Sequence, residues 1–209
     1  MNEILAALAA FVAAATLVTI TPGLDTVLVL RTAATEGPRR AALSALGVVC
    51  GCLTWALIVA VGLGALLAAS QLAYTILKWA GAAYLVWLGV KMLLHPRGSF
   101  AAAGPSDPHG GGAFARGLYT NLLNPKVGVF YVSFLPQFVP HGVAVGPFIL
   151  LLGTIHGTLG LIWLGCLIAA TRPIAGFLDK AAVVQTLDRL TGGVFVAFGV
   201  GLALEARRA

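Results

Sequence analysis

The sequence predicts an all-α integral membrane protein: six transmembrane helices laid out as two inverted three-helix repeats, with spans one and four broken at proline. Three observations lead there. The 209 residues are 59% hydrophobic and only 10% charged, against about 25% charged in a soluble domain, and the mean hydropathy is +0.97. The apolar residues gather into runs long enough to cross a bilayer. The breakers Thr21-Pro22-Gly23 and Asn124-Pro125-Lys126 stand in corresponding places, inside the first and fourth runs.

The runs cover roughly 4–30, 40–67, 71–94, 114–138, 143–170 and 184–206. The first lacks a basic leader, Glu3 being its only early charge, and is too long for a signal-peptide core, so it is expected to stay as a span. The first, second and fifth exceed the ~20 residues of a straight span, which calls for tilt, a break or an interfacial end. The second carries Gly47-x-x-x-Gly51 and the fifth Gly153-x-x-x-Gly157; such small-residue pairs let helices pack closely. The third reads Lys78, Gly81, Tyr84, Trp87, and the sixth repeats the spacing as Arg189, Gly192, Phe195, Phe198. Three spans per half is an odd number, so the second half enters the membrane upside down. Residues 1–95 then form the first repeat and 114–209 the second. Between them, 96–113, rich in Pro, Gly and Ser, reads as a flexible cytoplasmic linker.

Lysine and arginine set the orientation. Arg31, Arg39, Arg40, Lys91, Arg97, Arg116, Arg172, Lys180 and Arg189 fall around the loops after runs one, three and five; the other side has Arg207 and Arg208. The rich side is expected to be cytoplasmic and both termini extracytoplasmic. The same scatter over short loops argues against nucleic acid as the partner of the net +6 charge. Cys50, Cys52 and Cys166 all lie in apolar runs and read as small, buried, inert thiols rather than a disulfide framework. No His, Cys, Asp and Glu spacing matches a metal site, and no cofactor is called for.

An unbroken span needs no proline; a broken one is tolerated where the freed backbone groups line a cavity or bind something. Thr21 and Asn124 are expected to act as N-caps, with Pro22 and Pro125 at the first helical position. The two half-helix starts would then meet near mid-membrane, converging free N–H groups on a place suited to a carboxylate. Asp25 is the acid placed deep in a span, costly unless paired or hydrated, and so a functional candidate. It is a candidate for holding an ammonium, exchanging a proton or pairing with Lys126. Lys126 is a candidate for binding a carboxylate or for that same ion pair. Thr19, Asn121 and Asn124 offer neutral hydrogen bonds. His156, between the glycines of run five, is a candidate proton-coupling group with Asp25, against the plainer reading of a packed histidine. The binding candidates are therefore Thr21, Pro22, Gly23, Asp25, Asn121, Asn124, Pro125 and Lys126.

These residues sit in motifs that resemble a known family. Thr21-Pro22-Gly23-Leu24-Asp25, the stretch Leu77-Lys78-Trp79-Ala80-Gly81 through Tyr84, Trp87 and Gly89, Asn121-Leu122-Leu123-Asn124-Pro125-Lys126, and Phe134-Leu135-Pro136-Gln137-Phe138 are similar to the LysE/RhtB exporters. Many members carry a second proline where this chain has Leu24; the departure leaves Thr21, Pro22, Gly23 and Asp25 in place. The resemblance implies a bacterial inner-membrane secondary transporter, not an enzyme. It implies export of a small amino acid or derivative of the threonine, homoserine, homoserine lactone or lysine type, driven by proton antiport. The expected partners are that substrate, protons and the lipid bilayer; a homodimer is allowed but not demanded. The rival readings are a metal- or inorganic-ion exporter on a similar scaffold and a membrane thiol–disulfide electron carrier. The first lacks a carboxylate or histidine cluster inside the spans, and the second lacks cysteines paired across spans.

Overall fold

The computed structural model describes residues 2–21, 23–69, 71–96, 112–170 and 180–206, and among these all regular structure is helical. Helix α1 spans Asn2–Ile20 and α2 spans Leu24–Thr35. Pro22, expected to open the second of these, lies outside the described residues. The chain then turns at Gly37, whose φ of 92° suits a residue without a Cβ. Helix α3, Pro38–Ala69, starts on a proline whose missing N–H is not needed at that position. Helix α4 follows as Gln71–Leu94. Most of the expected linker, 97–111, lies outside the described residues.

The fourth apolar run is a chain of short pieces. Helix α5 is Ala113–Leu122 and α6 is Pro125–Val129; a π-helical turn at Phe130–Phe134 and a 3-10 turn at Leu135–Phe138 complete it. Asn124 leaves the helical path (φ −77°, ψ 108°) and its side chain accepts the Lys126 N–H at 3.1 Å, with Pro125 in the first turn. This is an N-cap of the expected kind. Helices α7, Val145–Ala169, and α8, Ala181–Ala206, close the fold.

By length and composition, four stretches among the described residues can cross a membrane: Glu3–Ile20, Pro38–Gly62, Val145–Ala169 and Ala181–Gly201. Helix α4 adds a shorter apolar stretch, Trp79–Leu94. Large apolar side chains such as Leu57, Ile58, Val61, Ile162, Leu190 and Leu204 point outward. In water that surface would be an aggregation liability; facing lipid costs nothing.

Helix α3 packs mainly on α5 and α7, and α4 packs on α8, so the closest packing crosses between residues 1–95 and 114–209. Small residues make these crossings. A Cβ added to Gly192 would lie 2.7 Å from the Gly89 carbonyl oxygen, and one on Gly117 would collide with the Ser44 backbone. Backbones that close require glycine, and dispersion between them supplies the attraction that lipid withholds. A buried aromatic cluster, Phe130, Phe134 and Phe138 with Phe11 and Phe195, fills the centre.

Candidate functional site

The starts of α2 and α6 face one cavity of about 70 Å³. Its wall holds Thr19, Thr21, Gly23 and Asp25, then Cys52 from α3, Asn121, Asn124 and Lys126, and His156 from α7. The candidates read from sequence therefore converge, Pro22 aside. Pro125 stands in the first turn of α6.

Asp25 sits in the first turn of α2, where the helix start favours a negative charge. Asn121, fully buried near the end of α5, donates from Nδ2 to Asp25 Oδ2 at 2.8 Å and to Cys52 Sγ at 3.5 Å. Asn121 has this reach because α3 offers Gly51 there, with no side chain to hold it off. Asp25 Oδ1 and Asn121 Oδ1 are buried and find no donor among the described residues. Two unmet acceptors beside one cavity are costly and call for an occupant.

Lys126 Nζ donates to the carbonyl oxygens of Thr21 at 3.2 Å and Val18 at 3.4 Å. Its ammonium thus caps the C-terminal end of α1, where the helix dipole favours a cation. It stands 4.0 Å from where a side chain at Gly23 would begin, an ordinary contact distance.

Thr21 corrects an expectation. It does not cap α2: the N-cap is Gly23, with no side-chain hydrogen bond. The Thr21 hydroxyl instead donates back to Leu17 O at 2.7 Å, finishing α1, and meets the Thr191 hydroxyl of α8. A threonine hydroxyl can serve the helical turn behind it as well as cap the one ahead, and here the turn behind wins. His156 is packed and hydrogen bonded, with Nδ1 2.8 Å from Tyr131 Oη and its ring against Phe130, yet it also borders the cavity.

Several participants escape a reading of composition. Cys50 and Cys166 are exposed, against the expectation of three buried thiols; Cys52 is buried and borders the site. Asp188 is a second acid inside the helices, 1% exposed on α8, one turn from the buried Thr191. The sequence pattern singles out Asp25 alone as an acid deep in a span, and Asp188 corrects that expectation. Tyr131 carries no motif; only the π turn puts its hydroxyl on His156.

A family model described as LysE type translocator matches residues 16–206. The homoserine/homoserine lactone efflux protein of Salmonella typhi is 33% identical over 208 residues, covering 96% of this chain and 97% of the relative. The leucine efflux protein of Enterobacter sp. (strain 638) is 31% identical, with 92% and 93% covered. The threonine efflux protein of Salmonella typhi is 30% identical, with 89% and 92% covered. No solved structure matches the chain. Matched from residue 16 to residue 206, and similar along nearly the full length of these efflux proteins, the chain belongs to the LysE type translocator family.

Proposed function

We propose that the chain is a secondary transporter that exports a small amino acid or derivative by proton antiport. One observation carries the reading: Asp25 Oδ1 and Asn121 Oδ1, buried acceptors without donors among the described residues, border a cavity between two helix starts. An ammonium has donors to give and no acceptor, which is what these two atoms lack. A proton on Asp25 also removes the cost. Asp25 cannot hold both at once, and that exclusion is what antiport requires. The substrate carboxylate goes to the start of α2, with Lys126 turning to it from the end of α1. The similarity to homoserine, leucine and threonine efflux proteins supports an amino acid as the cargo.

In this reading the chain crosses the inner membrane six times as two inverted repeats, residues 1–95 and 114–209 joined by a cytoplasmic linker, with both termini outside. A cavity of about 70 Å³ has room for a few waters and falls short of the ~300 Å³ of an open ligand pocket. That supports a closed state, with access by movement of packed helices about a fixed site. The direction of movement follows the packing: the α4–α8 pair swings against α3, α5 and α7.

The test is efflux from cells loaded with dipeptides, with and without the protein. Release of at least one amino acid rises with the protein and is abolished by Asp25→Asn, which stays in the membrane. No difference for any amino acid rejects export; normal export by Asp25→Asn removes Asp25 from the mechanism.

A further inference from the structure

Helix α7 turns one face to the cavity: His156, Gly157, Gly160, Trp163 and Leu164, spaced as neighbours one turn apart. His156 is engaged by Tyr131, whose hydroxyl lies 2.8 Å from Nδ1. Gly157 and Gly160 bring no side chain. A Cβ at Gly157 would touch Val49 Cγ1 at 3.5 Å, an ordinary contact, and one at Gly160 would meet nothing within 4 Å. The wall is therefore hollowed at Gly160, one turn from Trp163.

Trp163 adds chemistry to that hollow. Its indole Nε1 is buried and meets no acceptor among the described residues. An indole N–H only donates, and a buried donor left unmet costs about 1–3 kcal/mol. A tryptophan that anchors a span keeps this N–H wet at the membrane interface; a buried N–H does not serve that purpose. Nor is the ring loose. It packs on the apolar cluster that includes Val29 of α2, Ala45 and Val48 of α3, and Leu164 and Leu167 of α7.

Three unmet polar atoms thus belong to residues of one cavity wall: the acceptors Asp25 Oδ1 and Asn121 Oδ1, and the donor Trp163 Nε1. A ligand that satisfies all three brings donors at one end and an acceptor at another. An ammonium answers the two acceptors. The start of α2 and Lys126 take the carboxylate in the reading above, so the indole is left for a third group. We propose that Trp163 is a specificity-determining residue, donating from Nε1 to a hydroxyl or carbonyl oxygen on the side chain of the cargo, with Gly160 leaving the space for that side chain. The inference rests on the export reading for the placing of the zwitterion and extends it to the side chain. A hydrocarbon of the same shape fills the space but leaves the indole unmet. A site built around a hydrogen-bonding group rejects the analogue that lacks the partner.

Binding to the detergent-purified protein is read as the rise in melting midpoint with ligand concentration. The ligands are two pairs of near-isosteric amino acids, threonine with valine and homoserine with norvaline; each pair exchanges a hydroxyl for a methyl. Wild-type protein binds the hydroxylated member of at least one pair about 3–10-fold more tightly, as one hydrogen bond allows. Trp163→Phe removes that preference by weakening the hydroxylated member alone. Trp55 also buries an unmet Nε1 but borders a different pocket, and Trp55→Phe keeps the wild-type preference. Equal binding within both pairs, or none at all, overturns the proposal, and does so without any variant should Trp163→Phe not fold. Equal weakening of both members by Trp163→Phe also overturns it, because the indole then holds the carboxylate or only packs. So does the same loss of preference in Trp55→Phe. None of these readings needs transport. Export without the preference removes the subsite alone, and the preference without export in the dipeptide screen removes the export reading alone.

Discussion

Asn121→Leu removes the donor that Asp25 has in the core while changing side-chain volume little. In the wild type Asp25 Oδ2 is met by Asn121 Nδ2 at 2.8 Å and Oδ1 is unmet, so the variant leaves both carboxylate oxygens without this donor. A hydrogen bond to a charged group contributes about 1.5–3 kcal/mol. At about 2–4 °C per kcal/mol for a chain of this size, the melting midpoint falls by about 3–12 °C. The cost lies in the stranded acid rather than in the missing amide, and that distinction is testable. Removing both partners of a buried bond is cheaper than removing one. The double variant Asn121→Leu/Asp25→Ala should therefore melt higher than the two single losses added together allow, by at least about 0.5 kcal/mol of coupling. Thermal unfolding of the detergent-purified protein, followed by tryptophan fluorescence, measures all four members of the cycle. A wild-type midpoint for Asn121→Leu, or strictly additive losses, refutes the claim that Asn121 exists to hold Asp25.

At the other end of α2, Arg116 Nη2 bridges both Glu36 oxygens at 2.6 and 2.7 Å, and Arg40 adds a third contact at 3.0 Å. The hydrogen bonds from Arg116 first, then Arg40, hold the Glu36 carboxyl below its ordinary value of 4.5. A depressed folded value means that this stabilisation is complete above about 4.5 and drains away as pH falls through the lowered value; Glu36→Gln flattens that part of a melting-versus-pH curve. Gly89→Ala would set a methyl 2.5 Å from the Gly192 carbonyl oxygen, whereas a Cβ at Gly193 meets nothing within 4 Å. The first costs about 1–3 kcal/mol, and Gly193→Ala is neutral in the same unfolding assay. Asn124→Ala loses the cap of α6 and about 1 kcal/mol, read as a lower midpoint with export reduced because the site backbone shifts.

The helices were legible because lipid leaves no other choice for the backbone: runs drawn at 71–94 and 143–170 became α4, Gln71–Leu94, and α7, Val145–Ala169. The candidate site was legible because it uses residues that apolar helices avoid, and Asp25, Asn121, Asn124, Lys126 and His156 border one cavity. What was not legible depends on three-dimensional neighbours. Cap chemistry at Thr21 was misassigned, since a hydroxyl has two competing backbone partners and the α1 carbonyl was nearer. Lys126 meeting the end of α1, rather than a partner on its own helix, follows from how α1 and α6 abut. Cys52 and Tyr131 are ordinary core residue types; nothing in their spacing announces that one meets Asn121 and the other His156. The cross-half packing of α3 on α5 and α7 is likewise invisible to a pattern that finds repeats within halves.

The account turns on Asp25 exchanging an ammonium for a proton. Inside-out vesicles containing the purified protein, with an acidified lumen and the amino acid found by the efflux screen outside, measure that exchange. Wild-type protein should accumulate the amino acid against its gradient, and Asp25→Asn should accumulate none. Equal accumulation by the two would contradict the account.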